Sequence, residues 1–368
     1  MQEAYEDVCR SLPKLCPRLV PAPLWSYTLA GFARLNPYIA LAICDECEDI
    51  VRRLNYFWFG QKEDRCEVCG EEGKEVDEDW RYYIEGNKGI AVLGGLRTLC
   101  DKCHVAKHQG YAGIKHQAKE AQIHLAKVNG VEDVEPLVKK SFMIHMRLSA
   151  ITDWEFRLDA IEEPLRSMFE KLLNSAYKRG LRYEGGWLFY TSKKAWELEL
   201  RSLRVSKEVV EKGGDLLTLA VSSLSGIKVL EKEFKVFLDM ISDKLKLASL
   251  VQDEEFLTYS LGESLSGKWM VFVRKEIYPR FFSVLVDSLS ELGYIAKITN
   301  RIENVELPVI VYIPSALDFD LVRKVKDVIK RIMREFDVEK PIFYKPDIFS
   351  ANNIYSGRSD IRPYIFVA

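Results

Sequence analysis

Amides are nearly missing from this chain: nine Asn and six Gln in 368 residues. Lys, Arg and Glu are plentiful, a bias that points to a hot-environment source, where disulfides occur even inside cells. An excess of one charge is also missing. The 53 basic and 55 acidic side chains leave a formal net charge of −2, which excludes coating nucleic acid by bulk charge but leaves local patches open. No run approaches the roughly 18 apolar residues that span a bilayer, so no membrane partner is expected. The opening MQEAYEDVCRSLPKL is acidic where a secretion signal is basic and then apolar, so the expected location is cytoplasmic. No Gly-rich phosphate loop, nucleophile elbow or kinase signature is found. What is present suffices for a sizeable core: hydrophobic residues make up 48% and charged residues 29%, the balance of a globular chain of two or three domains.

Six of the eight cysteines form three C-x-x-C pairs, Cys44/Cys47, Cys66/Cys69 and Cys100/Cys103, leaving Cys9 and Cys16. In an intracellular protein such pairs read first as metal ligands and then as disulfides. RCEVCG and LCDKCH are the sharpest of them, because two intervening residues let both thiolates reach one ion from a tight turn. Gly70 supplies backbone freedom there. A β-hairpin between the pairs would close a four-thiolate site at Cys66, Cys69, Cys100 and Cys103, and zinc, in a structural role, fits it best. Two separate disulfides are the alternative. For Cys9, Cys16, Cys44 and Cys47, buried thiols, disulfides and a second metal site all stay open.

Hydrophobic periodicity predicts helices over 37–56, from Ile114 through Val128 with an Asn129-Gly130 stop, and over about 134–148. Residues 158–254 read as helical, interrupted by a short hairpin at RYEGGWLFYTS, with Leu230, Phe234, Phe237, Ile241 and Leu245 as a core stripe. The last 110 residues contain strand runs KWMVFV, GYIAKIT, PVIVYI, KPIFYK and PYIFVA around two helical stretches. Their order is β-α-β-β-α-β plus a final strand, an antiparallel sheet with helices on one face. The expected class is α+β, divided into 1–157, 158–258 and 259–368.

The pieces LVPAPLW, CEVCG, DEDWRYY, LGGLRTLCDKCHVAKHQGYA, HLAKVNG and SAITDWEF, spread over about residues 18–157, resemble an HNH-like (ββα-metal) zinc module of a little-characterised family. The resemblance implies that His104, directly after the final cysteine, binds a catalytic divalent ion (Mg or Mn). Asp77 is the second implied ligand, and His108 or Glu78 would activate water. Two positions depart from the pattern: Asp77 stands where such nucleases carry a histidine base, and Gly95 where they carry the orienting asparagine. An aspartate near its ordinary pKa accepts protons poorly, so lost or altered catalysis is expected.

SGKWMVFV, GYIAKIT, VIVYIPSALDFDLVRKV, FYKPDIFSANNIYSGR and PYIFVA resemble an uncharacterised family whose fold is similar to that of the cap-binding translation initiation factor. Cap binding itself needs two tryptophans, and this stretch has Trp269 alone. Lys268, Trp269, Lys297, Lys345, Arg358 and Arg362, with Tyr344 or Tyr355 for stacking, are candidates to bind an anion or nucleic acid if they converge; Lys107 is another, beside the zinc knuckle. The acidic run 63–79 holds nine acids against two bases, and 97–127 holds six bases against two acids. The favoured expectation is a nucleic-acid- or ribonucleoprotein-associated zinc protein with a non-catalytic HNH-like module. A metal-dependent HNH endonuclease is the alternative, and a protein–protein adaptor working through the helical middle is the third.

Overall fold

The computed structural model describes residues 2–250, 262, 264–290 and 293–368. The chain forms two compact α+β units, Met1–Lys178 with Arg182–Glu184, and Arg179–Leu181 with Gly185–Ala368. The expected boundary near 258 lies outside the described residues.

The first unit is built around β1 (Glu75–Glu85), β2 (Lys88–Leu99) and β3 (Trp154–Arg157). β1 and β2 form an antiparallel hairpin that turns at Gly86-Asn87, with Gly86 at φ +60°, the left-handed conformation that two-residue turns need. β3 runs parallel to β2 and sets Trp154 against Gly89. A Cβ at Gly89 would come within 2.4 Å of the Trp154 ring, so only glycine lets these strands close. The hairpin register slips between Glu78, opposite Leu96, and Trp80, opposite Leu93. Asp79 therefore faces both Gly94 and Gly95 in a bulge, a device that re-aims neighbouring side chains.

Helices Asp101–Lys107, Gln109–Ile114, Ala118–Asn129 and Glu135–Ser149 follow β2. The apolar face predicted from Ile114 begins later, because His116 takes φ +57° and separates two helices. Ile114 is left 79% exposed, while Ala121 and Leu125 are buried. The stop falls where predicted, with Gly130 in the left-handed cap. Asn129 also ties down the N-terminal segment: its Oδ1 accepts from the N–H groups of Lys14 (3.0 Å) and Leu15 (3.2 Å), and its Nδ2 donates to the Leu15 carbonyl (3.0 Å).

The helix predicted over 37–56 is two, Pro37–Ala40 and Cys47–Phe59. Cys44, in the break, is bonded to Cys47, and Cys9 is bonded to Cys16. Those four cysteines therefore offer neither free thiols nor a second metal site.

The second unit takes in β5 (Trp187–Thr191), which follows β4 (Leu181–Glu184) across the left-handed Gly185-Gly186 turn, and β6 (Lys228–Val229). Then come β7 (Gly267–Arg274), β8 (Ile295–Thr299), β9 (Glu306–Ile313), β10 (Phe343–Pro346) and β11 (Phe366–Val367). Neighbours run in the order β5-β8-β9-β7-β10-β11-β6, antiparallel at each step. β5 and β6 come from the stretch expected to form a separate helical middle and instead share this sheet. In-register residues share a face. One row, Tyr190-Ala296-Val311-Trp269-Tyr344-Phe366, is entirely at or below 2% exposure. The helix Phe319–Glu335 lies over it, Trp269 Nε1 donating to the Val322 carbonyl at 3.0 Å. Leu230, Phe234, Phe237 and Ile241 are core, Phe234 stacking near Phe366.

Candidate functional site

Cys66 and Cys69 lie on the loop before β1; Cys100 and Cys103 lie where β2 passes into the 101–107 helix. The hairpin brings all four Sγ atoms within 4.8 Å of one another. Gly70, at φ +76°, closes the first turn and donates its N–H to the Cys66 carbonyl at 2.9 Å. Cys100 caps the helix, its Sγ accepting from the Cys103 N–H at 3.5 Å. Cys66, Cys100 and Cys103 are buried and Cys69 is exposed, and none is disulfide-bonded. A compact set of four sulfur donors can hold one metal ion. Burial pushes the Cys66 thiol up, but backbone hydrogen bonds at Cys100, Cys69 and Val68 outweigh it and bring it down to about 7; burial pushes Cys103 up.

A second cluster lies beside the first on the same hairpin–helix unit. Asp77 is buried on β1, and His104 and His108 stand one helical turn apart. Their ligand atoms also lie within 4.8 Å of one another: Asp77 Oδ1 is 2.7 Å from His108 Nε2 and 3.8 Å from His104 Nε2. Glu75 Oε2 is 3.7 Å from His104 Nε2. The two His104 separations match donors sharing one ion, roughly 3 to 4 Å apart at ordinary metal–ligand bond lengths, while Asp77 and His108 are hydrogen-bonded to each other. Burial raises the Asp77 carboxyl, but Lys107 and His108 more than offset this and hold it well below the usual range. Burial, then the neighbouring His108, lowers His104.

Glu78 turns the other way. Its carboxylate accepts from the N–H groups of Leu29 (3.2 Å) and Ala30 (2.8 Å) and from Trp80 Nε1 (2.7 Å). Burial nevertheless pushes it up to about 7. A cavity of about 420 Å³ is bounded by Asp77, Glu78, His104 and His108, with Arg34, Lys62 and Lys74 also on its wall.

No known family and no curated protein matches the chain.

Three residues proposed for nucleic-acid contact have other roles. Lys107 is buried, its ammonium pairing with Asp77 and donating to the Glu78 carbonyl at 2.8 Å; a phosphate cannot reach it. Trp269, and with it Tyr344, sits at 0% exposure on the helix-covered side of the sheet. Strand alternation puts every second residue there. Lys268, Lys297 and Lys345 do converge, on the opposite face. Arg358 and Arg362 are exposed beyond β10, where the Arg358 N–H donates to the Tyr355 carbonyl and the Arg362 N–H to Glu233.

The acidic run before and along β1 is largely neutralised rather than repulsive. Asp79 pairs with Arg18 at 3.1 Å, Glu72 with Lys74 at 2.6 Å and Glu71 with Lys102 at 3.5 Å. His124 stands outside every motif spacing in the sequence. Its Nε2 lies 3.2 Å from Cys103 Sγ, a contact made by the packing of the 118–129 helix rather than by any spacing. Trp187 lies upstream of the C-terminal strand motifs, and β5 places it beside Lys297. Among the described residues, no helix is long and apolar enough to cross a membrane.

Proposed function

We propose that the first unit is a metal-dependent phosphodiesterase site of the HNH kind, acting on nucleic acid and held together by a structural zinc ion. One observation carries the reading: Asp77, His104 and His108 meet within 4.8 Å on a hairpin and helix pinned at their junction by Cys100 and Cys103. Zinc suits Cys66, Cys69, Cys100 and Cys103, because four thiolates complete a tetrahedron and leave no position for chemistry. The catalytic ion, Mg²⁺ or Mn²⁺, would be held by the Asp77, His104 and His108 cluster, with Glu75 beside it. Bound there, it supplies Lewis acidity to a phosphoryl oxygen and lowers the pKa of water.

The chain's own groups do the rest. Lys62 and Arg34 on the cavity wall supply positive charge to orient a phosphate. With both histidines directed at Asp77, Glu78 is the proposed acceptor of a proton from water, which requires its carboxylate to exchange one of the N–H hydrogen bonds from Leu29, Ala30 and Trp80. Asp77, standing where the resembled nucleases carry a histidine, would thus serve as an anionic ligand rather than a base.

A second reading, nucleic-acid binding without cleavage, is favoured by one specific contact. The Lys107 ammonium already neutralises Asp77, which weakens the attraction of that carboxylate for a cation. Incubating the protein with plasmid DNA and with RNA in Mn²⁺ or Mg²⁺ separates the two. Cleavage by the parent that falls at least about 100-fold in His104→Ala and Asp77→Asn supports the nuclease. Binding with no cleavage, or cleavage unchanged in both variants, supports the scaffold.

A further inference from the structure

The face of the second-unit sheet opposite Trp269 carries an unusual charge arrangement. Register puts Phe189 beside Lys297, and Tyr312 beside Lys268, which in turn is beside Lys345. The Lys297 ammonium lies 4.4 Å from the Trp187 ring centroid, 5.3 Å from Phe189 and 5.3 Å from Tyr312. Lys268 shares the Tyr312 ring at 5.6 Å and pairs with Asp347. Lys345 lies 3.9 Å over Tyr355 and donates to the Ile354 carbonyl. Three ammonium groups thus stand around one carboxylate, and that carboxylate is already engaged by Lys268. The rings of Trp187 and Tyr312 are half-exposed.

Three π faces stabilise the Lys297 charge without neutralising it or accepting its hydrogen bonds. Burial and then the repulsion of Lys268 lower its pKa, only partly offset by Asp347, the response of a cation without a close counter-ion among the described residues. An anion placed between Lys297 and Lys268 would supply one, and planar rings on either side suit a stacked base.

We propose that this face binds single-stranded nucleic acid, seating a phosphate on Lys297 and Lys268 and stacking a base on Trp187 or Tyr312. The inference rests on the reading that the protein works on nucleic acid, but it assigns strand capture to a different unit from the chemistry. Phosphate beside a base is also offered by free nucleotides, so the test includes both sources.

Fluorescence anisotropy with labelled 12-nucleotide RNA and DNA single strands, full-length protein, roughly 50 mM salt and no added divalent cation measures it. Lys297→Gln and Trp187→Ala should each weaken binding by about tenfold, and Lys297→Arg should restore most of it. That pattern stands even if no cleavage is found, in which case the nuclease reading fails alone. Parent-like binding by both Lys297→Gln and Trp187→Ala, or no binding by the parent, overturns the proposal. So does competition by a mononucleotide as strong as that by the strand, which would assign a nucleotide pocket. Unchanged thermal melting of Lys297→Gln and Lys297→Arg shows that loss of binding is not loss of fold.

Discussion

Single residues bear on whether each candidate cluster can hold a metal ion. His124 lies 3.2 Å from Cys103 Sγ, and a hydrogen bond to a ligating sulfur is the kind of outer contact that holds metal sites together. His124→Ala should therefore release zinc to a colorimetric chelator about ten times faster than the parent, with helical content unchanged; equal release rates would make the contact incidental. Lys107 acts in the opposite sense, since its ammonium occupies Asp77 Oδ2. Lys107→Met should tighten Mn²⁺ binding several-fold by removing a competing cation, read by calorimetry on folded protein. The cysteine pairs and His104 were legible because their chemistry is written in adjacent positions. The Asp77–Lys107 pairing was not, because it joins residues 30 apart through a hairpin register that slips at Asp79. Sequence alternation assigns residues to two sheet faces but cannot say which face a helix will cover, and Trp269 was misjudged for that reason.

At the scale of elements, the first unit depends on two local devices. Gly89→Ala would drive a Cβ into Trp154 and should cost about 1 to 3 kcal/mol, the usual range for overpacking, measured by urea unfolding. Asn129→Ala would free the Lys14 and Leu15 backbone from the C-terminus of the 118–129 helix. A loss of about 1 kcal/mol is expected from the part-buried Leu15 backbone groups left without this partner. The stop at Gly130 was readable, since an Asn-Gly pair after an apolar stripe has few other uses. The break at His116 was not, because the apolar step from Ile114 to Ala118 fits a continuous helix and only backbone conformation interrupts it. Very short strands such as Lys228–Val229 carry too few residues for a period to register, so the sheet of the second unit extends further back in the chain than its residue pattern reveals.

Across the whole molecule, the near-zero net charge conceals a division of labour. Several acids of the stretch around β1 are engaged in ion pairs, while three lysines share one face of the second-unit sheet. Metal analysis of purified protein should find about one tightly held zinc per chain, dropping towards zero in Cys66→Ser/Cys103→Ser; retention in that variant would remove the four-cysteine site. The central claim is that a second, exchangeable ion occupies Asp77, His104 and His108. Its most direct test is electron paramagnetic resonance of Mn²⁺ titrated into zinc-loaded protein, which reads ion binding without needing the substrate. The account predicts one bound Mn²⁺ per chain, lost in His104→Ala and in Asp77→Asn. No bound Mn²⁺ in the parent, or equal binding in both variants, would contradict it.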